Sequence, residues 1–274
     1  MEENPSDSDT NPFRYCGEYY DIEIGQIYLR ARYYDPAVGR FTQSDPARDG
    51  SNWYVYCSNN PINYKDPTGY WEEGDELYPE IIQEALKIYT DMWIIANANN
   101  DPIGMAMAHE YAESARILGD SMVSRDEWGA KQFENKWGND PYKNAIVIHH
   151  TDNNDSVKDI EKAHVKKGYG DIGYHFIIGK DGKVYEGTPI DYKGAHVEGA
   201  NTGKIGVALI GDYSPDIFDG WDRTPPPDEQ IISMIRLIAV LQDVYGIYGV
   251  NMHKDYNDTK CPGDVVEEIL ERMI

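Results

Sequence analysis

Hydrophobic side chains in the second half of the chain recur at the spacings of buried strands and amphipathic helices. The apolar run at 145–148 predicts one buried strand, and 204–211 predicts another. Residues 171–187 predict a hairpin, because an Asp-Gly pair lies between two strand-forming stretches. Helices are predicted at 155–168, 228–245 and 264–273. Since strands and helices interleave, we predict an α/β fold class with a mixed central β-sheet flanked by helices.

Two different patterns precede this region. Residues 17–70 alternate tyrosine and β-branched side chains with charged ones, and Gly and Asp-Pro pairs punctuate them, which predicts short strands joined by turns. An amphipathic helix is predicted at 78–96, and a second from Pro102 to Leu118, ended by Gly119. We therefore expect three segments. They are a β-rich segment at 1–70, a helical hairpin at 71–120 and an α/β domain at 121–274.

Composition narrows the classes of partner. The formal charge of −23 and the isoelectric point near 4.5 argue against nucleic acid, whose phosphates this surface would repel. No run approaches the ~20 apolar residues that span a bilayer, so we expect no membrane span. The first residues are acidic and polar, unlike a secretory signal peptide. Three cysteines, Cys16, Cys57 and Cys261, do not indicate a disulfide framework.

Three side chains in the sequence are of the types that bind a metal ion. His149 ends the predicted strand at 145–148, and His253 and Cys261 lie far along the chain, eight positions apart. Two imidazoles and one thiolate suit Zn²⁺, and three protein ligands leave a fourth position open, as in catalytic zinc sites. The sequence therefore predicts a zinc site on these three residues.

Several motifs around these residues occur together in a fixed order. They are Ser-Arg-Asp-Glu-Trp-Gly-Ala at 124–130, Ile-Val-Ile-His-His-Thr at 146–151, Asp-Ile-Gly-Tyr-His-Phe at 171–176, Gly-Ala-His at 194–196, Ile-Gly-Val at 205–207 and Thr-Lys-Cys-Pro-Gly at 259–263. This set resembles the peptidoglycan recognition protein family and the related phage-lysozyme-type N-acetylmuramoyl-L-alanine amidases. The resemblance covers residues 121–274.

The resemblance implies a role for each matching residue. The zinc ligands would be His149, His253 and Cys261, with Tyr174 and Thr259 as catalytic hydrogen-bond donors. Substrate-binding positions would be His150, His164, Gly168, Tyr169, His196 and Asn201. A plain surface role stays open for His164 and His196. His175 follows Tyr174 on its strand and so faces the opposite side, which favours a structural role.

The resemblance also implies a reaction and a substrate. The reaction would be zinc-dependent hydrolysis of the bond between the N-acetylmuramic acid lactyl group and L-Ala of the stem peptide. The Gly168-Tyr169 pair is closer to the Gly-Trp pair that accompanies meso-diaminopimelate peptides than to the Asn-Phe pair of lysine-type peptides. The alternative is a non-catalytic peptidoglycan-binding recognition module. Cys261 favours the enzyme, because non-catalytic relatives commonly lose this cysteine.

A second resemblance covers the N-terminal segment. The motifs at 32–46, 52–56 and 59–70 resemble the Rhs repeat-associated core, in which a variable toxin domain follows a large β-shell. The pattern Pro-x4-Asp-Pro-x-Gly-Tyr at 61–70 resembles that family's self-cleavage site. Asp66, with Asp45 or Asp35, would then cut after Tyr70, which stands where the family usually has leucine. A simpler role of these Asp-Pro pairs as turn formers stays open.

Together the two resemblances imply the toxic C-terminus of an Rhs-type interbacterial effector. It would be secreted without a signal peptide by a contact-dependent or type VI-like system and would act in the periplasm or cell wall of the target cell. Its expected partners are peptidoglycan, a cognate immunity protein and the Rhs shell of the carrier. Nucleic acid is not expected among them.

Overall fold

A computed structural model of the chain describes residues 12–44, 53–59, 61, 66, 69, 78–214 and 225–272. The chain divides into two compact units. Met1–Tyr78 and Leu86–Ala112 form the first, and Pro79–Ala85 and Glu113–Ile274 form the second. Two of the three boundaries between these units, at 85/86 and 112/113, fall inside long helices, and the division at 70 and 120 stays a prediction.

The first unit contains a four-stranded antiparallel sheet whose strands follow one another in chain order. The strands are β1 (Tyr19–Asp21), β2 (Gln26–Leu29), β3 (Arg32–Asp35) and β4 (Arg40–Phe41). Alternate side chains of β2 are buried, which is the period-2 pattern of a sheet with one face on a core. Ile27, Leu29, Tyr34 and Phe41 form this core with Tyr56. The predicted β-rich segment is thereby confirmed.

Two long helices follow, α1 (Glu80–Ala98) and α2 (Pro102–Ser121). Pro102 is the first residue of α2, as predicted, and Asp101 caps that helix by accepting from the backbone N–H of Gly104 at 3.1 Å. The predicted end at Gly119 is wrong, because α2 continues to Ser121, whose hydroxyl donates to Leu118 O at 2.7 Å. A glycine inside a helix lowers its stability without ending it. Among the described residues, no helix is long and apolar enough to cross a membrane.

The second unit is built on a six-stranded sheet in the order β10-β6-β9-β7-β8-β5. The strands are β5 (Met122–Val123), β6 (Ala145–His150), β7 (Phe176–Ile178), β8 (Val184–Glu186), β9 (Lys204–Leu209) and β10 (Val250–Met252). Within this sheet only the β7–β8 pair, the predicted hairpin, is antiparallel. The mixed central sheet predicted from the sequence is therefore confirmed.

Three helices flank this sheet: α3 (Val157–Lys166), α4 (Asp228–Tyr245) and α5 (Asp264–Glu271). Ser156 caps α3 by accepting from Asp159 N, and Gly246 ends α4 in the left-handed conformation that glycine adopts readily. The predicted bounds of α4 are confirmed. α5 ends at Glu271, and the predicted end at Met273 lies outside the described residues.

Strand register places the two distant histidines side by side. All six residues of β6 are buried, as a continuous apolar strand predicts. β10 runs parallel to β6, with Met252 opposite Ile148. The next residues, His253 and His149, therefore meet at the carboxyl end of both strands.

Candidate metal centre

Three side chains converge beyond the carboxyl ends of β6 and β10. The nearest ligand atoms of His149, His253 and Cys261 all lie within 4.8 Å of one another. His149 Nδ1 is 3.7 Å from Cys261 Sγ, and the two imidazole rings have centroids 4.6 Å apart. Cys261 is 7% exposed and His149 is 1% exposed, so these two groups are screened from bulk water, whereas His253 is half-buried.

This donor set fits zinc. With zinc–nitrogen bonds of about 2.0–2.1 Å and zinc–sulfur bonds of about 2.3 Å, tetrahedral ligands lie about 3.4–3.6 Å apart. The 3.7 Å between His149 Nδ1 and Cys261 Sγ is close to that spacing. Two nitrogens and one sulfur leave one coordination position open, which is the arrangement of a catalytic site.

Burial sets the protonation of these groups in the metal-free protein. It lowers the pKa of His149 well below 6.5, and His196 and His253 add to the effect. It also lowers the pKa of His253, so both imidazoles stay neutral and able to coordinate. Burial raises the pKa of the Cys261 thiol to about 12, and a divalent cation would remove that proton on coordination.

A cleft of about 590 Å³ opens beside the cluster. It is lined by His150, Thr151, Asp152, Asn153, Ile160, Ala163, His164, Lys167, Tyr174, Ser214, His253, Thr259, Lys260 and Cys261. Six of the sequence-predicted site residues are in this set. They are His150, His164, Tyr174, His253, Thr259 and Cys261. The structure thus places two predicted ligands and both predicted donors on one cavity, and the third ligand, His149, contacts Cys261 without being among the lining residues.

Tyr174 and Thr259 both line the cleft with the candidate ligands His253 and Cys261. The ring of Tyr174 lies 5.2 Å from that of His149 and 5.3 Å from that of His164, measured between centroids. Burial and the neighbouring Cys261 raise the pKa of Tyr174 above its ordinary value, so the phenol keeps its proton. Thr259 Oγ1 accepts from Cys261 N at 3.2 Å. Both hydroxyls are therefore available as donors toward the cleft.

The part of the chain that contains these residues is similar to known proteins. The family model described as N-acetylmuramoyl-L-alanine amidase matches residues 138–264, which include all three ligands. Peptidoglycan-recognition protein SC2 of Drosophila simulans is 32% identical over 157 residues, spanning 54% of this chain and 83% of the relative. The chain belongs to the peptidoglycan-recognition protein family.

Further relatives are enzymes by name. The N-acetylmuramoyl-L-alanine amidase of Sus scrofa is 31% identical over 157 residues, which cover 49% of this chain and 26% of the pig protein. Among solved structures, the endolysin amidase LysCS of Clostridium intestinale URNW is 31% identical, with a TM-score of 0.46. That likeness covers 56% of this chain and 94% of the endolysin. The relatives of this chain thus include proteins named as recognition proteins and proteins named as amidases.

Two residues predicted to bind substrate take other positions in this family member. His196 is 7% exposed and does not line the cleft; its Nδ1 lies 3.0 Å from His149 Nε2. Asn201 Oδ1 accepts from His196 N and Val197 N, both at 2.8 Å. Neither residue is among those that line the cleft, and their role in substrate binding stays a prediction.

The Gly168-Tyr169 pair lies at the rim beyond the lining residues. The Tyr169 ring is 5.2 Å from that of His164, and Tyr169 O accepts from Trp137 Nε1 at 2.8 Å. Lys136 Nζ donates to Gly168 O. This pair is thus pinned by residues 136–137, and its contact with stem peptide stays a prediction.

His150 and His175 differ in accessibility although both are buried. His150 lines the cleft, and its Nδ1 accepts from Tyr213 N at 3.0 Å. His175 is 1% exposed and is not among the residues that line the cleft; its Nδ1 accepts from Gly206 N and its Nε2 donates to Tyr192 O, each at 3.0 Å. These bonds make His175 a neutral structural residue, as its alternation with Tyr174 predicts.

The sequence interpretation missed several cleft residues. Asp152 and Asn153 come one residue after the end of β6, and Lys167 and Lys260 also line the cleft. Their position next to the His-His-Thr and Thr-Lys-Cys motifs was a usable signal. Polar residues that immediately follow a ligand-bearing strand face the same edge of the sheet.

The residues predicted for self-cleavage are only partly described. Asp45 and Tyr70 lie outside the described residues. Asp66 is 2% exposed; its Oδ1 accepts from Gly69 N at 2.7 Å, and its Oδ2 lies 3.6 Å from the Arg32 guanidinium. Asp35 Oδ1 accepts from Ala37 N at 2.8 Å, a turn-forming contact.

Proposed function

We propose that this chain is a zinc-dependent N-acetylmuramoyl-L-alanine amidase. It would hydrolyse the bond between the lactyl group of N-acetylmuramic acid and L-Ala of the peptidoglycan stem peptide. The proposal rests on the meeting of His149, His253 and Cys261 at a cleft that His253, Cys261 and Tyr174 line. Membership in a family that includes amidases supports it.

The chain's own residues account for substrate activation around the metal. Bound zinc acts as a Lewis acid on a carbonyl oxygen and lowers the pKa of water to ~7. Tyr174 keeps its phenol proton and so can donate to the carbonyl oxygen as negative charge develops there. Thr259 accepts from Cys261 N, which leaves its hydroxyl proton for donation into the cleft.

His164 supplies a further donor in the cleft. Its Nδ1 accepts from Gly173 N at 2.9 Å, so the ring proton is on Nε2. Burial and the nearby Lys167 lower the pKa of His164 to about 4, so the ring stays neutral at physiological pH. A neutral imidazole N–H in a groove suits a carbonyl oxygen of the glycan lactyl group or stem peptide.

The competing function is recognition without hydrolysis. The test is mass spectrometry of purified muropeptides incubated with the wild type and with Cys261→Ala, together with metal analysis of both proteins. We expect bound zinc and released L-Ala-containing peptides from the wild type, and neither from the variant. A wild type that binds muropeptides without zinc and without releasing peptide would support the recognition module instead. The mass of the released peptide also tests the meso-diaminopimelate preference.

We further propose that the chain is the toxic end of an Rhs-type interbacterial effector that acts in the target periplasm and is neutralised by a cognate immunity protein. The N-terminal β-rich segment and its Asp-Pro motifs support this. Expression in the cytoplasm should be tolerated, whereas periplasmic targeting should lyse cells. Cys261→Ala in the periplasm is the control and should be tolerated. Equal toxicity in both compartments would reject the proposal.

Self-cleavage after Tyr70 is part of the same proposal. Asp66 is buried, with its carboxyl group 3.6 Å from the Arg32 guanidinium, and would be one member of the aspartate pair that such a cleavage requires. Intact mass measurement of the purified chain and of Asp66→Asn tests it. Cleavage in the wild type alone is the expected result, and identical masses would leave the Asp-Pro pairs as turn formers.

A further inference from the structure

Both histidine ligands of the proposed zinc site turn their second ring nitrogen toward one loop. We call residues 194–201 the support loop. His149 Nε2 lies 3.0 Å from His196 Nδ1 in this loop. His253 Nε2 lies 3.2 Å from Asn257 Oδ1, and Asn257 Nδ2 donates to Glu198 O at 3.2 Å. The hydrogen-bond series that start at His149 and at His253 therefore both end in the support loop.

The support loop is held in a defined shape. Asn201 Oδ1 accepts from the backbone N–H groups of His196 and Val197. The ring of His196 fills a slot made by two glycines: a Cβ at Gly206 would lie 2.6 Å from its Cγ, and one at Gly194 would lie 2.7 Å from its Cδ2. Any larger residue at either position would push the imidazole from its place.

Coordination chemistry assigns the direction of these bonds. A neutral imidazole that binds a metal through one nitrogen carries its proton on the other. His149 Nδ1 faces Cys261 Sγ at 3.7 Å, so Nδ1 is the metal-binding nitrogen and Nε2 is the donor. His196 Nδ1 is then the acceptor. For His253, Asn257 Oδ1 accepts from Nε2 in the same way, which leaves Nδ1 for the metal.

We propose that the support loop positions both imidazole ligands, His196 by holding His149 and Glu198 by anchoring Asn257 against His253. This inference rests on the proposed zinc function and extends it. It gives His196 and Asn201 a role that the cleft does not require, since neither lines it. His196 is a positioning residue, because it acts on the metal through His149.

The contact of His196 with His149 and the contact of Asn257 with His253 should contribute differently to zinc affinity. The bond between His149 and His196 is buried on both sides, whereas His253 and Asn257 are only half-buried. Loss of a partner that orients a ligand typically costs 10–100-fold in metal affinity. We expect His196→Leu near the upper end of that range and Asn257→Leu near the lower end.

The experiment measures the zinc dissociation constant of the full chain by competition with a chromophoric chelator. Three variants decide it: His196→Leu, which removes the acceptor; His196→Asn, whose amide oxygen can take the place of Nδ1; and His175→Leu. The last is a control for the loss of a buried imidazole beside His196: the His175 ring lies 5.6 Å from that of His196, but its own hydrogen bonds go to backbone atoms and none reaches a ligand. Unfolding of the zinc-stripped proteins shows whether each variant is folded.

The expected result is zinc binding weakened 10–100-fold in His196→Leu, largely restored in His196→Asn, and within threefold of wild type in His175→Leu. The inference is overturned if His196→Leu binds zinc like the wild type. It is also overturned if His175→Leu weakens binding as much, or if His196→Asn is no better than His196→Leu. A wild type that binds no zinc overturns the proposed function as well, and so is distinguishable from these outcomes.

Discussion

At the scale of single residues, the same burial acts differently on the groups around the cleft. It keeps His149 and His253 neutral and therefore able to bind a metal. It also keeps the proton on Tyr174, which suits a donor and not a base. The chemistry of the site thus depends on how far each side chain lies from water, as well as on its identity.

Tyr174→Phe should remove one hydrogen bond made in the transition state. We expect kcat on muropeptides to fall about 10²–10³-fold, or about 2.7–4 kcal/mol, with little change in KM. Zinc affinity should stay within threefold of wild type, because the phenol is not a ligand. The control is Tyr185→Phe, on β8 outside the cleft. Unchanged kcat in Tyr174→Phe would contradict its role as a donor.

Stability of the metal-free protein should depend on His175. Burial lowers the pKa of His175 from 6.5 to about 4. The unfolded chain therefore binds a proton below pH 6.5 that the folded chain does not take up until about pH 4, so stability is lost as the pH falls through this window. Within this window, His175 should change the free energy of unfolding by up to about 1.36 kcal/mol per pH unit.

Urea unfolding at several pH values between 7.5 and 4.5 tests this. His175→Leu should be less stable than the zinc-stripped wild type at pH 7.5, yet its stability should fall less steeply with decreasing pH. Parallel pH profiles for the two proteins would mean that His175 does not carry this proton linkage.

At the scale of secondary structure, the spacing of hydrophobic residues and the turn residues in the sequence predict much of the fold. The apolar run that became β6, the Asp-Gly turn between β7 and β8 and the periodic α4 are local signals, and they place these elements correctly. The position of His196 was not predictable in this way. It depends on the pairing of β6 with β9, which brings Gly206 opposite Val147 and sets the slot behind His149.

Gly206→Ala tests how closely β9 is tied to the metal centre. The added methyl would lie 2.6 Å from the His196 ring, so the ring must move away from His149. We expect at least tenfold weaker zinc binding with retained secondary structure by circular dichroism. Gly249→Ala is the control, because its methyl would meet Asn251 Oδ1 at an ordinary 3.8 Å. Equal zinc affinity in both variants would mean that the slot tolerates the methyl.

At the scale of the whole molecule, the proposed metal site belongs to one unit. His149, His253 and Cys261 all lie within Glu113–Ile274. A ligand that binds only the folded state stabilises by about 2.7 kcal/mol at 100 times its Kd. Zinc should therefore stabilise the second unit and not the first.

Differential scanning calorimetry with and without a strong chelator measures this. Chelation should lower the midpoint of one transition by several degrees and leave the other unchanged. In Cys261→Ser the chelator should shift neither transition. A shift of both transitions in the wild type would indicate that the two units unfold together.

The turn between α4 and β10 has a consequence for the evolution of this chain. Tyr248 in that turn is 88% exposed, and surface turns ordinarily gain and lose residues freely. Here one inserted residue before Val250 would shift β10 by one position along β6 and reverse the side toward which His253 projects. Natural homologues that hydrolyse their substrate should therefore keep this turn at one length, while indels accumulate elsewhere on the surface.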